Sequence, residues 1–414
     1  MTNPSPRHTW RRRYGRRSPP ARQSLFFTSR NTDAFAWNWN GNRHRRRMDA
    51  LRKVYIEPTN GCNLNCRTCM RNVWDEPIGF MEWETYEALI RELAGFPTAQ
   101  TVAFAGIGEP LLHPRFVDMV RLAKEHHLRV ELTTNALLLT REMAGALLEL
   151  GLDQIVVSID GTTAETFGQV RRGGSLSKVV ENMRAFYELS EPSPLPPLTI
   201  GIEFVAMRSN IRELPHLHSL AKYIGASLIL ITNVLPYTEE MVSETLYNLR
   251  ATSFQGKGSP WTPTWVLPKM DLTEETLEPL IHVFRTQANI SYLDLDLGSR
   301  NSFCPFVQAG ALAVGWHGGV SPCPPLMHSY TCYVMGRRKH IRRWEVGRLP
   351  AQSLRDIWET PAYVSFRERV LHFDFPPCVD CGCDLAESNE EDCFGNTFPV
   401  CGDCLWARGI IRCA

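Results

Sequence analysis

From residue 54 to about residue 232, short β-branched and aromatic runs alternate with amphipathic periods. The strand-like runs are Val54–Glu57, Thr101–Phe104, Arg129–Thr133, Ile155–Ile159, Ile200–Val205 and Leu228–Ile231. Between them apolar residues recur at three- and four-residue steps, as at Tyr86, Leu89, Ile90 and Leu93, then at Phe116, Met119, Val120 and Ala123. A helix of 3.6 residues per turn gathers such positions on one face; a strand scatters them over two. Parallel strands need long crossovers, and those crossovers are right-handed. The pattern therefore predicts an α/β fold, a partial (β/α)6 TIM-type barrel over residues 49–235. Its chemistry should sit on loops at the C-terminal ends of the strands.

The rhythm then stops. Across residues 236–303, Pro236, Pro260, Pro263 and Pro268 interrupt any period, with Trp261 and Trp265 among them. The segment reads as a substrate-facing excursion or as a long surface connection. Residues 304–414 are rich in Cys, Gly, Pro and Asp and offer one helical period near 353–371. That predicts a largely irregular module organised by metal rather than by a large core.

Charge divides the chain again. Residues 1–48 contain 12 Arg, no Lys and one acid, Asp33, a net +11 against +1 for the whole chain, which leaves −10 on the remainder. This Arg-, Pro- and Ser-rich leader lacks amphipathic period and reads as disordered. It is either a nucleic-acid-binding arm or an over-extended start, with initiation at Met48. The acidic body gives no electrostatic footprint for nucleic acid, and none is expected as a partner. The pairs Arg12-Arg13 and Arg16-Arg17 suggest a twin-arginine export signal, but no apolar stretch follows them. No run approaches the roughly 20 apolar residues needed to span a bilayer. A cytoplasmic protein without membrane partners is expected.

Thirteen cysteines in a cytosolic chain call for an explanation other than disulfides. Three, Cys62, Cys66 and Cys69, follow the first strand with spacing C-x3-C-x2-C, and the other ten all lie after residue 300. Three thiolates on one loop can each bind one iron of a cubane and leave the fourth iron open. A zinc knuckle, or a fourth ligand from elsewhere, is the structural alternative.

In these residues the chain resembles the radical S-adenosylmethionine (SAM) superfamily. The resemblance implies a 4Fe–4S cluster whose open iron binds SAM, and electron transfer that yields a 5′-deoxyadenosyl radical. It extends to Ala105-Gly106-Ile107-Gly108-Glu109-Pro110, which is similar to the glycine-rich motif receiving the methionyl amino group. By the same resemblance Asn135, Ser158 and Asp160 line the SAM pocket, and Arg171 or Arg172 pairs with the SAM carboxylate. Ordinary turn and cap chemistry is the bland reading of each polar strand end. Many members carry an aromatic residue before the third cysteine; here it is Thr68, so adenine packing falls to the backbone or Met70.

Cys304, Gly318 and Cys323 fit the opening of the SPASM auxiliary-cluster domain, whose members carry one or two further iron–sulfur clusters. Beyond that opening the spacing departs from the norm: Cys378-x2-Cys381-x-Cys383, a gap to Cys393, then Cys401-x2-Cys404 and Cys413. Eight thiolates fill two cubanes, so two of ten are spare: Cys332 and one of Cys383 or Cys393. Cys304, Cys323, Cys378, Cys381, Cys393, Cys401, Cys404 and Cys413 are the expected ligands. Cys378-x2-Cys381 with Cys401-x2-Cys404 also suits a zinc ribbon. The tail and the run Asn65–Asn72 resemble radical SAM maturases associated with tungsten-cofactor aldehyde:ferredoxin oxidoreductases. That implies a protein, peptide or tungstopterin substrate and a low-potential donor such as ferredoxin or flavodoxin. A maturase of a ribosomally made peptide and a non-enzymatic iron–sulfur or zinc scaffold are the alternatives. No catalytic side chain is assigned.

Overall fold

The computed structural model describes residues 50–191, 198–247, 264–267, 273–284, 289–292, 295–296 and 303–413. The basic leader with its arginine pairs, and Pro260, Trp261, Pro263 and Pro268, lie outside these residues.

All six expected strands form: β1 Lys53–Ile56, β2 Thr101–Phe104, β3 Arg129–Thr134, β4 Gln154–Ser158, β5 Thr199–Ala206 and β6 Leu228–Asn233. They pair in parallel in chain order. The crossovers carry α1 Trp83–Leu93, α2 Phe116–Glu125, α3 Arg141–Glu149, α4 Ala164–Val170, α5 Leu176–Ser190 and α6 Leu214–Ile224. Thr140, Thr163 and Ser175 each cap the helix that follows with a side-chain oxygen. One strand face, with Val54, Ile56, Val102, Phe104, Val130 and Leu132, is buried against the helices. Tyr86, Leu89, Ile90, Phe116 and Met119 meet it from the helix side. Each fully buried side chain of this size contributes about 1.5–3 kcal/mol. The other face is polar. Tyr55, Ala103, Glu131 and Gln154 lie side by side across β1 to β4, and Ser158 lies beside Glu203.

The connecting region contributes β7 Thr264–Leu267, α7 Glu274–Phe284, β8 Asn289–Tyr292 and β9 Leu295–Asp296, with β7 to β9 in a small separate sheet.

The C-terminal region supplies β10 Ala311–Val314, β11 Gly319–Ser321, β12 Tyr330–Val334, β13 Arg337–Ile341 and β14 Gly347–Arg348. β10 pairs in parallel with β1, and β11 and β14 continue antiparallel, giving a nine-stranded sheet ordered β14-β11-β10-β1-β2-β3-β4-β5-β6. The result is a partial barrel whose first strand is interior to the sheet. The single helix expected near 353–371 is two, α8 Leu354–Glu359 and α9 Pro361–His372. Thr360 separates them, because Pro361 fits a first helical turn and not a helix interior. A second apolar cluster, Met70, Leu235, Tyr247, Tyr330, Cys332 and Leu405 among its members, joins the loop after β1 to this region. Among the described residues no helix is long and apolar enough to cross a membrane.

Candidate functional site

The loop leaving β1 is pinned at both ends. Thr59 Oγ1 donates to Gly79 O at 2.6 Å, while Asn60 donates to Pro77 O and accepts from Gly79 N, each at 2.9 Å. Farther on, Asn65 N donates to Arg172 O at 3.0 Å and Arg67 N to Val170 O at 2.8 Å. Cys62, Cys66 and Cys69 stand between these anchors or just past them, each half-buried. Burial pushes the Cys66 thiol up to about 11, with Arg171 opposing. A bound metal offsets such a penalty by stabilising the thiolate.

The loop leaving β2 lies directly on the cysteine loop. Gly106 has φ +142°, and a Cβ there would fall 2.7 Å from Glu57 Cγ. A Cβ on Gly108 would fall 2.0 Å from Thr59 O. Gly108 therefore permits two backbones to touch, and Gly106 makes room for the Glu57 side chain. Glu109 N completes the contact by donating to Gly61 O at 2.8 Å. The Glu109 carboxylate is buried and faces the fold: Oε1 accepts from Thr134 Oγ1 at 2.7 Å and Leu111 N at 3.1 Å, Oε2 from Asn135 N at 2.8 Å. Burial raises its pKa against those hydrogen bonds. Asn135 turns back to the cysteines, donating to Asn63 Oδ1 at 2.8 Å and to Cys62 Sγ at 3.8 Å.

Ser158 ends β4 and is nearly buried. Asp160 is wholly buried; Oδ1 accepts from Val205 N at 2.8 Å, and Oδ2 lies 2.9 Å from Arg171 Nε. The latter contact is ionic, without the alignment of a hydrogen bond. Burial acts to lower the Arg171 pKa, and Asp160, Cys66 and Glu203 outweigh it. Arg171, at the end of α4, is thus a cation facing the cysteine loop. Arg172 is exposed and lends that loop only its carbonyl. Met70 is enclosed by the second apolar cluster, 4% exposed.

Two groups escaped the sequence reading. Glu203 lies on the polar face of β5 beside Ser158, and burial pushes its carboxyl up to about 7, with Arg171 opposing. Its signal was a lone acid alternating with the apolar positions of Thr199–Ala206. His328 is wholly buried between Glu57 and Glu76, and nothing in local spacing marks it.

All described cysteines are free thiols. Cys304, Cys323, Cys401 and Cys404 fall within one another's electrostatic reach and burial drives their thiol pKa values upward, that of Cys404 to about 12. Four thiols from distant positions thereby lie near one another, that of Cys304 buried and the other three partly so. Cys378 lies against Gly402, where a Cβ would meet its Sγ at 2.8 Å, and it feels Cys393. Cys381 and Cys393 are exposed, and Cys332 is buried in the second apolar cluster. Cys413 accepts from Trp406 Nε1 at 3.1 Å, and Arg412 N ties the tail to Thr232 Oγ1 at 2.8 Å.

A family model for the radical SAM superfamily matches residues 56–202, and one for the SPASM iron–sulfur cluster-binding domain matches residues 304–382. The chain is 30% identical over 374 residues to the tungsten-containing aldehyde ferredoxin oxidoreductase cofactor-modifying protein of Pyrococcus furiosus, spanning 88% of this chain and 97% of that relative. The chain belongs to the radical SAM superfamily. It is an enzyme of that family with a SPASM domain, and its cofactors are a 4Fe–4S cluster, SAM and auxiliary iron–sulfur clusters. It is also 31% identical over 179 residues to the AdoMet-dependent heme synthase of Methanosarcina barkeri, 43% of this chain and 49% of the relative. Among solved structures, Streptococcus suis SuiB bound to S-adenosylmethionine matches with a TM-score of 0.52 at 16% identity, over 84% of this chain and 73% of that one. This radical SAM chain shares that fold.

Proposed function

We propose that this radical SAM enzyme matures a tungsten-cofactor oxidoreductase, acting on the protein or its tungstopterin. The observation that carries the reading is the similarity to the Pyrococcus furiosus cofactor-modifying protein, which spans 88% of this chain and 97% of that relative. When bound, the 4Fe–4S cluster supplies the electron that opens SAM to a 5′-deoxyadenosyl radical. In this reading Cys62, Cys66 and Cys69 hold that cluster. Gly106 and Gly108 bring backbone within reach of SAM, and Glu109 with Asn135 fixes that backbone to β3. Asp160 holds Arg171 for the SAM carboxylate, and Ser158 lines the ribose side.

Cys304, Cys323, Cys401 and Cys404 serve one auxiliary cluster, and Cys378, Cys381, Cys393 and Cys413 are the donors left for a second. Among the described residues no three Cys, His, Asp or Glu side chains converge as one metal ion requires. A ferredoxin- or flavodoxin-class donor supplies electrons.

The test has two arms. The reconstituted enzyme should form 5′-deoxyadenosine from SAM under reduction, and Cys62→Ala should reduce this to background. Adding the tungstopterin-free or immature oxidoreductase should then raise SAM turnover and produce aldehyde-oxidising activity. Stimulation by a short precursor peptide instead would assign a peptide maturase.

A further inference from the structure

His328, Glu57 and Glu76 make a buried charged bridge between the C-terminal module and the SAM loops. His328 follows the Pro324–Leu326 turn, which begins directly after Cys323. Its Nε2 lies 3.0 and 3.2 Å from the two oxygens of Glu57, and its Nδ1 lies 2.8 Å from Glu76 Oε2. A carboxylate at hydrogen-bond distance on each ring nitrogen favours the imidazolium, in which both nitrogens donate. The Trp74 indole closes one side, edge-on at 4.4 Å between ring centroids.

Glu57 faces two ways. Its Oε1 also accepts from Ile107 N at 3.0 Å, and Gly106 packs so tightly on its Cβ and Cγ that any side chain there would collide. The Gly106–Gly108 loop is therefore wrapped around the Glu57 carboxylate. What fixes the carboxylate fixes the loop.

We propose that His328 is a positioning residue for SAM: by clamping Glu57, the C-terminal module holds the glycine loop in register with the cysteine loop. The inference rests on reading Gly106–Glu109 as part of the SAM site. The charged groups facing His328 are Glu57 at the end of β1, Glu76 from the loop before α1, and Arg343, 3.8 Å from Glu76 on its far side. Burial acts to lower the imidazolium pKa; Glu57 and Glu76 outweigh it and hold it up to about 9. A raised folded-state pKa means the clamp is fully present below the ordinary histidine range, near 6.5, and is lost as pH rises through about 9.

The experiment uses the full-length, cluster-loaded enzyme. SAM is titrated while the electron paramagnetic resonance signal of the reduced cluster is followed, and hydrogen exchange at the Ile107 amide is measured in parallel. His328→Gln should weaken SAM binding about 10–100-fold, the range for groups that orient a ligand shell, with iron and sulfide content unchanged. Ile107 exchange should quicken. In the wild type, SAM affinity should fall between pH 8 and 10, and this step should vanish in His328→Gln. Glu76→Gln should move the step to lower pH, because one of the two charges that hold the imidazolium is gone. Full-iron His328→Gln binding SAM like the wild type would overturn the proposal. So would a wild-type affinity that stays flat to pH 10, which decides the matter even if the His328 variant does not fold. A wild type that forms its cluster yet binds no SAM would overturn the SAM-site reading and this inference together.

Discussion

From β1 to β6 helices pack mostly aliphatic and aromatic side chains on one strand face, with buried charge at the strand ends and on the opposite face; from β12 onward buried ion pairs stand among irregular backbone. Lys339 is 3% exposed, and its ammonium donates to both oxygens of Asp403, at 2.8 and 2.9 Å, and to Ser388 O at 2.8 Å. Arg337 reaches Asp403 Oδ2 at 2.9 Å and Cys381 O at 2.6 Å. Asp392 is buried and accepts from Phe394 N and Asn396 N at 2.9 and 3.1 Å. The first region is a folded core that presents cysteines on a loop. In the second, ion pairs and side-chain hydrogen bonds hold irregular backbone around cysteines. The two cysteine groups thus rest on two kinds of support, one an apolar core and the other a network of ion pairs and side-chain hydrogen bonds.

The harshest way to break this comparison is to end the chain after residue 303. The cut removes β10 and leaves β1 at a sheet edge, so the barrel should not be recovered as a soluble folded fragment, as read by circular dichroism and size-exclusion chromatography. A soluble barrel would mean that the two supports are separable after all. Next in size, Cys62→Ala and Cys401→Ala should differ in kind. The first abolishes 5′-deoxyadenosine formation with the fold intact; the second lowers iron content and loosens residues 374–413 in hydrogen exchange. Third, Lys339→Met leaves Asp403 with Arg337 alone and takes a donor from Ser388 O, and should cost about 1–3 kcal/mol. Leu89→Ala, in the apolar core, should cost about 2–5 kcal/mol. Denaturant melts with and without a chelator separate the two, since only the Lys339 effect should change with iron content. The smallest effect is expected at Gly336→Ala in the β12–β13 turn. Nothing lies near the added methyl, and the cost is the φ of +78° alone, about 1–2 kcal/mol in a melt.

The barrel strands were legible because apolar period is local: Val54, Ile56, Val102 and Phe104 announce their face within four residues of sequence. The glycine motif and the first cysteine group were legible for the same reason. β10 was not, since Ala311–Val314 is a four-residue apolar run with no period of its own, and only β1 gives it a role. The convergence of Cys304 and Cys323 with Cys401 and Cys404 could not be read from spacing, because chain folding across about 100 residues brings them together. Glu109 shows a subtler limit. Its position in the motif pointed at the cofactor, whereas its oxygens are engaged by Thr134, Leu111 and Asn135. Arg171 and Arg172 were indistinguishable as neighbours in sequence; Asp160 distinguishes them.

The pairing of β1 with β10 also sets a schedule. Lys53 aligns with Ala311, roughly 250 residues later in the chain, and at ribosomal speeds that interval is about 12–50 s. Throughout it the strand that leads into the loop of Cys62, Cys66 and Cys69 has a neighbour on one side only, and the histidine that steadies Glu57 has not been made. Such long-range closure is slow by its topology. Under the proposed role of the first cysteine group, cluster loading is then expected of the completed polypeptide, because iron delivered to the nascent chain would meet an unfinished pocket.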